Sequence, residues 1–441
     1  MSTLCIIGLF LAIAVLIVGS YKGIGALPLT LIASFVVIIT NGLELWATYS
    51  TNYMAGYAGT YTSYFLIFSF SALYAKFMDE SGSATAIGHK LIDWFGAKRV
   101  ILVSVLIVSV LTYGGVSLFV AIFAVGPIMF MLFKEANLPR HLTAACFVMG
   151  SSTYTMTALP GTPQLTNIIP TQFLGTTMTA APIFSIICSI GLFIPSYVYC
   201  MSQERKAHQL GESWSFPEGM DASKYEVSDR TLLPSTGKAF APIIALLLII
   251  IIGGQFISNS AMLTVGAMLV GTVLCYLINL DKFKGKSLIS LLNNGLAGGV
   301  AAIGGLAAVV SFGAVVQTTD AYQQIVQWLL GLNLHPYVKG TLATAIISGI
   351  TGSSSGGLRL TLTSLGDYFI SSGCNLQVLH RLMSVSAGSL DTLPHSAGLF
   401  LVFQQLGLTH KMGYRHVFVI SVLIPAFVTV VATAACIFLG I

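Results

Sequence analysis

Charge is what this sequence has least of. Asp, Glu, Lys and Arg together make up 8% of its 441 residues, where soluble domains carry roughly 25%. Hydrophobic residues make up 55%. A surface so poor in charge belongs in lipid, so the usual estimate of one soluble domain per about 150 residues does not apply. Basic tracts are missing as well. The net charge of +5 comes from 20 basic and 15 acidic residues scattered over loops, which argues against nucleic acid as a partner and reads as membrane orientation. Cys5, Cys146, Cys188, Cys200, Cys275, Cys374 and Cys436 form no C-x-x-C pair and lie mostly in apolar runs, as small packing residues do. The eight histidines include no H-E-x-x-H and no cluster with Cys or carboxylates at metal-ligand spacing, so neither a metal nor another cofactor is expected. The opening stretch MSTLCIIGLFLAIAVLIVGS lacks the basic n-region of a cleavable signal and reads as a first membrane helix that stays.

What is present is a series of apolar runs near the length that crosses a bilayer, about 20 residues. They cover 3–20, 23–43, 61–78, 180–200, 239–257, 261–280, 290–315 and 416–440. Two further regions, 100–170 and 338–410, are apolar but interrupted by Gly, Ser, Thr and Pro. One hydrophilic stretch, 201–238, divides the chain and is too short to be a domain. With the N-terminus outside and the spans alternating, the basic residues face the cytoplasm except for three of the 20, namely Lys339, Arg359 and Arg381. That is the asymmetry expected of an inner-membrane protein with a cytoplasmic central loop. The tally closes only if the segment between Lys98/Arg99 and Lys134 enters and leaves on one side, as a re-entrant hairpin with TYGGVS (112–117) at its tip does. The segment 338–372 then enters and leaves from outside, with TGSSSGG (351–357) at its tip.

The halves match weakly but in order. Asn137-Leu138 and Asn375-Leu376 open the segments that follow each hairpin. Leu159-Pro160 and Leu393-Pro394 break those segments. A short amphipathic stretch with Trp near its end precedes each hairpin, ATAIGHKLIDWFG (84–96) and DAYQQIVQWLLG (320–331), as interfacial helices do. The expected fold is an all-α polytopic membrane protein, an inverted-repeat transporter with about ten spanning helices, two re-entrant hairpins and two broken helices. Broken backbone is tolerated in lipid only where it lines protein or a wet cavity. Four such places, TYGGVS, GSSTYTMTALPGTP (150–163), TGSSSGG and SAGSLDTLPHSAG (386–398), suit a buried anion: half-helix N-termini attract a carboxylate, and Gly admits close backbone approach.

The stretches TGSSSGGLRLTL, NLQVLHRLMSVSAGSLDTLPHSAG and GLTHKMGYRHVFVISVLIP resemble the gluconate permease (GntP) family of the ion transporter superfamily, closest to its hydroxybutyrate-permease-like branch. The likeness is strong over 338–425, fair over 98–200 and weak in the flanking spans, and SLDTLPH is its most specific piece. It implies a proton-coupled importer of gluconate, a related sugar acid, D-serine or 3-hydroxybutyrate. The superfamily implies a homodimer in which a transport domain moves against a scaffold like an elevator. On that pattern 1–97 and 239–337 are scaffold, 98–200 and 338–441 form the transport domain, and 201–238 links them. Sodium-coupled dicarboxylate carriers of the superfamily carry Ser-Asn-Thr motifs at their tips. None stands at either tip here, which disfavours sodium coupling without excluding it.

The residues for a small organic anion follow from this layout. Gly114, Gly115 and Ser117 at one tip and Gly352, Ser353, Ser354, Ser355, Gly356 and Gly357 at the other are expected to touch the solute. Ser151, Ser152, Thr153, Thr157, Gly161, Thr162, Thr392 and Ser396 line the breaks, although membrane serines often bond only the preceding turn. Arg359 reads as a bidentate carboxylate clamp, or as a structural partner of Asp391 or Asp367. Asp391 and His395 flank the second Leu-Pro break as proton carriers, or as a helix cap and a neutral donor. The rival functions are a sodium-coupled or exchange carrier for another organic anion and, less favoured, a channel or an intramembrane enzyme. GSSSG matches G-x-S-x-G literally but lacks the preceding strand of a nucleophile elbow, and Ser354 with His395 is the pair an enzyme would need. The orientation predicts that a Ser213→Cys variant reacts with a membrane-impermeant maleimide only after cells are permeabilised; labelling of intact cells would reverse it.

Overall fold

In a solvent that offers no hydrogen bonds, long runs of Leu, Ile, Val, Ala and Gly can satisfy their backbone only within the segment, as helix. The structure is a computed structural model that describes residues 2–218, 230–253, 256, 257 and 259–441; among these every regular element is helical. The part of the linker at 219–229, and residues 254, 255 and 258 at the end of the span expected over 239–257, lie outside the described residues.

The elements form two series in one order. The first runs Ser2–Tyr21, Ala26–Asn41, a long helix built from Leu45–Ala47, a π-helical stretch Thr48–Tyr53 and Met54–Glu80, then Ser83–Phe95, Val100–Tyr113, Leu118–Glu135, His141–Ser152 with Leu165–Leu174, and Pro182–Gln209. The second runs Thr236–Gly253, Ser260–Ile278, Leu288–Gln317, Asp320–Gly331, Pro336–Thr351, Ser354–Ser371, Leu376–Leu390 with Ala397–Gln405, and His410–Leu439. The spacing between counterparts barely drifts: 236 − 2 = 234 at the first pair, 354 − 118 = 236 at the hairpins and 376 − 141 = 235 at the broken helices.

Glycine contacts show that the repeats are inverted. The counterpart helices Met54–Glu80 and Leu288–Gln317 pack so closely that a Cβ on Gly56 would lie 2.8 Å from Ser311 Cα, one on Gly299 2.6 Å from Ser69 Cα and one on Gly295 2.7 Å from Leu73 Cδ1. Numbers fall along one helix as they rise along the other, so the pair is antiparallel. Small residues at such a crossing let backbones approach in lipid, where dispersion and packing replace the hydrophobic drive.

Seven described helices are each long and apolar enough to span, or eight if one bent pair is a single span. The figure of about ten, reached by the 20-residue rule, counts the two broken segments, Met54–Glu80 and the short Ala26–Asn41 helix, and leaves out the hairpin arm Leu118–Glu135. The bent pair is the first amphipathic helix, Ser83–Phe95, turned by 98° from the stretch Ala97–Tyr113. Gly96, at φ +79°, makes the corner. Trp94 and Trp328, near the ends of the two amphipathic helices, are both exposed. His89 reaches Glu135 at 3.3 Å and ties the first of these helices to the end of the first hairpin.

Two expectations are corrected. The span placed at 61–78 starts earlier, because the Glu44 carboxylate caps the helix by accepting from the Trp46 and Ala47 N–H groups. The linker is also more than a tether. Glu212 meets His141 at 3.6 Å, Trp214 N–H donates to Asn137 Oδ1 at 3.1 Å, and the Trp214 ring packs edge-on to Phe130 at 4.7 Å. The linker thereby lies across the base of the first hairpin. Gly299→Ala is expected to destabilise the purified protein by about 1–3 kcal/mol through overpacking, whereas Gly266→Ala, with nothing within 4 Å of its Cβ position, should not. Thermal melting in detergent compares them; equal melting temperatures would contradict the crossing.

Candidate functional site

The opening arm of the first hairpin, Val100–Tyr113, ends in Gly114, and the chain reverses through Gly115-Val116-Ser117 into Leu118–Glu135. Gly115 sits at φ +99°, and a Cβ there would come 2.9 Å from Pro163 Cγ, so both its backbone angle and its neighbour require glycine. Pro163 belongs to the first break. From the same break Gln164 Nε2 donates to Thr112 O at 2.7 Å and Val116 O at 3.2 Å, and the Tyr113 hydroxyl donates to Pro160 O at 3.2 Å.

The second tip answers why a greasy sequence carries Gly-Ser-Ser-Ser-Gly-Gly. Gly352, at φ +60°, ends Pro336–Thr351, and Ser353 caps Ser354–Ser371 by accepting from Gly356 N–H at 3.2 Å. The arms touch where a Cβ on Gly357 would lie 2.2 Å from Ser348 Oγ. A Cβ on Gly352 would meet His395 Cδ2 at 3.3 Å and Ser396 Cα at 3.4 Å, so this tip rests on the second break. His395 Nε2 lies 2.9 Å from Gly349 O, and because a carbonyl only accepts, that nitrogen carries the proton.

The breaks meet each other as well. The first lies between His141–Ser152 and Leu165–Leu174, with Thr153 at φ −107°, ψ −116° and one further turn at Tyr154–Thr157. The second is Asp391–Ser396. A Cβ on Gly388 would sit 2.7 Å from Thr157 Cγ2, and one on Gly398 3.3 Å from Leu118 Cδ2. The helix that follows the second break therefore abuts the start of the arm that follows the first tip. Four helix N-termini open in this zone, at Leu118, Ser354, Leu165 and Ala397; only the one beginning at Ser354 has a side-chain cap. Uncapped N–H groups and their dipoles favour an anion.

Four buried polar atoms in the same zone have no partner among the described residues: Thr162 Oγ1, Ser348 Oγ, Asp391 Oδ1 and His395 Nδ1. Buried groups are ordinarily hydrogen-bonded, so each of these atoms, among the 17 such atoms of the described residues, has capacity left for water, solute or a proton. The buried Asp391 carboxyl has the Ser354 side chain and the amides of residues 391 and 392 as its polar neighbours. Among the described residues His395 Nε2 is engaged by Gly349 O and no hydrogen bond joins His395 to Ser354.

Other expected site residues bond within or between the helices. Ser151 donates to Phe147 O, Thr153 to Met149 O and Thr157 to Thr153 O, at 2.9, 2.6 and 2.9 Å. Ser152 is buried beside Ser151 at 3.2 Å, and Thr392 Oγ1 pairs with Ser421 Oγ at 2.6 Å. Gly161, at φ +82°, turns the chain within the first break, next to Thr162. Ser355 and Gly356 lie half-buried in the first turn after the second tip. Arg359 is exposed and is not among the partners of Asp391. It heads an exposed polar row, with Thr363, Asp367 and Ser371 following at four-residue intervals on one helix face.

Sequence reasoning missed Arg381, which has no exposed surface. Its Nε donates to Ser185 Oγ at 2.7 Å, Nη1 to Thr157 O at 2.8 Å and Nη2 to Asn167 Oδ1 at 3.0 Å. His380 Nε2 donates to the same Asn167 oxygen at 3.0 Å, and Asn167 Nδ2 donates to Thr162 O at 2.8 Å. Arg381 thus reaches the first break from the second repeat. The signal was available: Arg381 is one of the three basic residues that the orientation tally could not place. The grip of the last span on the second break was also missed. His410 Nε2 donates to Pro394 O at 2.9 Å and the Tyr414 hydroxyl to Thr392 O at 3.2 Å, while Ser421 sits in a π-helical stretch, Val419–Leu423. Such stretches recur at functional sites.

Comparison with known proteins places these observations. The GntP family permease profile matches residues 3–439. An uncharacterized transporter of Bacillus subtilis (strain 168), YxjC, is 29% identical over 450 residues, covering 94% of this chain and 95% of that protein. Among solved structures, Neisseria gonorrhoeae MtrF, described as one of a class of antimetabolite efflux pumps, aligns over 88% of this chain and 82% of its own at 14% identity and TM-score 0.42. The Alcanivorax borkumensis transporter YdaH, described as having an unusual topology, aligns over 89% of this chain and 88% of its own at 13% identity and TM-score 0.42.

The contact between the hairpin arms yields a direct test. Gly357→Ala must push Ser348 and its helix away, and is expected to lower transport more than tenfold while insertion and expression persist. A variant with wild-type transport would show that the second tip is not held closed in this way.

Proposed function

Since the chain belongs to the GntP family of permeases, we propose that it is a secondary active transporter that imports a small hydroxylated monocarboxylate, such as gluconate or 3-hydroxybutyrate, together with protons. The observation that carries this reading is the coincidence of four helix N-termini with four unpartnered buried polar atoms. Peptide N–H groups receive the carboxylate. The hydroxyls of Thr162, Ser348, Ser353 and Ser354 take over hydrogen bonds that the solute's own hydroxyls leave behind in water. Arg359 stands at the mouth, where its polar row leads from the surface to the second tip, and draws the carboxylate inward. Asp391 and His395, whose orphan atoms face the same zone, carry the proton.

On this reading the segments 98–200 and 338–441 move together as the transport domain. The helices in 1–97 and 239–337 stay as scaffold and form the homodimer in the inner membrane. Alternating exposure of the two tips replaces a continuous pore.

Proteoliposome uptake tests the reading. Labelled gluconate or 3-hydroxybutyrate should accumulate saturably under an inside-alkaline gradient, collapse with an uncoupler and be indifferent to sodium. Conductance without saturation would indicate a channel, and an absolute need for sodium a different coupling. Arg359→Lys should reduce uptake at least tenfold with normal insertion, because an ammonium cannot offer the planar fork of a guanidinium; near-normal uptake would remove Arg359 from the path.

A further inference from the structure

Two opposite charges are buried in the zone of the breaks without touching each other. Arg381 has no exposed surface, and the three groups that accept from it are a hydroxyl, a carbonyl and an amide oxygen, all neutral. Asp391 is buried, has the Ser354 side chain and two backbone amides as polar neighbours, and has one carboxylate oxygen without a partner among the described residues. Arg381 lies in Leu376–Leu390 and Asp391 caps that helix, so ten residues, about 15 Å at helical rise, separate them. That is too far for an ion pair.

Neutral forms account for the hydrogen bonds of the other titratable groups nearby. His380 donates from Nε2 to Asn167 Oδ1, and its Nδ1 shares a hydrogen bond of 2.7 Å with the Thr176 hydroxyl. His395 and His410 each donate one N–H to a carbonyl. Tyr414, which faces Asp391 from the last span, donates its hydroxyl to Thr392 O. Arg359 is exposed and lies outside this buried set. With those groups neutral, Arg381 and an ionised Asp391 are the two opposite charges buried in this zone.

We propose that Arg381 is the residue that fixes the charge of the solute at minus one, with Asp391 as its balancing charge when the carrier is empty. This deepens the transport reading above and rests on it. A site that moves through lipid is penalised for any net buried charge. Empty, Arg381 and ionised Asp391 sum to zero. Loaded with a monoanion, the sum returns to zero only if one proton from the water phase adds to the Asp391 carboxylate. On release, the anion leaves Arg381, the proton leaves Asp391 to the same side, and the balanced empty form returns. One proton therefore accompanies one monoanion, and no net charge crosses. A dianion would leave the loaded form negative and would be rejected.

The test uses the full-length protein in proteoliposomes with labelled gluconate and 3-hydroxybutyrate as probes. Wild-type net uptake at a fixed pH gradient should change less than twofold when a valinomycin–potassium potential of either sign is imposed. Asp391→Asn should lose net uptake at least tenfold, and far more than it loses exchange of internal for external probe, because only its empty form carries an unbalanced charge. Arg381→Lys, which keeps the charge, should retain potential-independent uptake at a reduced rate, while Arg381→Met should not. Potential-driven wild-type uptake, or an Asp391→Asn variant that loses uptake and exchange equally, would overturn the charge assignment and leave the transport reading standing. Uptake of neither probe by the wild type would defeat both.

Discussion

Everything in this fold depends on how interrupted backbone is satisfied in a place without water. A helix that stops inside a membrane leaves four N–H or four C=O groups without intrahelical partners, and lipid offers none in return. Here the interruptions are braced by side chains from other elements: Gln164 on the first tip, His395 on the second, and His410 and Tyr414 on the second break. Several carbonyls at the interruptions are thereby secured, while three of the four helix N-termini carry no side-chain cap. Braced acceptors beside uncapped donors suit the anion site proposed above.

The repeats share this architecture but not its chemistry. The second break holds Asp391 and His395, whereas the corresponding positions of the first are Thr157 and the Gly161–Thr162 pair. Ionisable groups are thus concentrated in one repeat, and Arg381 extends that repeat's charge into the first break. The hairpins differ too. The second arm of the first is buried along most of its length, while that of the second shows an exposed polar face.

How much of this can be read from sequence follows from which forces are local. The ordinary spans and the two amphipathic helices were legible, because hydrophobicity and helical periodicity are properties of short windows. The hairpins were legible by a different route. The basic residues at 98, 99 and 134 forced a segment to return to its own side. Arg381 was invisible as a functional residue because its partners, Ser185, Thr157 and Asn167, come from distant segments. For the same reason the roles of Ser151, Thr153 and Thr392 as helix fasteners, and the packing of Trp214 on Phe130, emerged only in three dimensions. Serine and threonine in a membrane helix look alike in sequence whether they face a solute or the preceding carbonyl.

The meeting of two inverted units around one anion is most directly tested by protection from thiol labelling. In a variant lacking the seven native cysteines, cysteines would be placed singly at Ser117 and Ser355 and exposed to a membrane-impermeant maleimide from either side. A shared anion site predicts that each position is reached from its own side, and that gluconate or 3-hydroxybutyrate slows labelling of both with the same concentration dependence. Labelling that only a lipid-soluble reagent achieves, or protection at one position and not the other, would mean that the tips do not enclose a common solute.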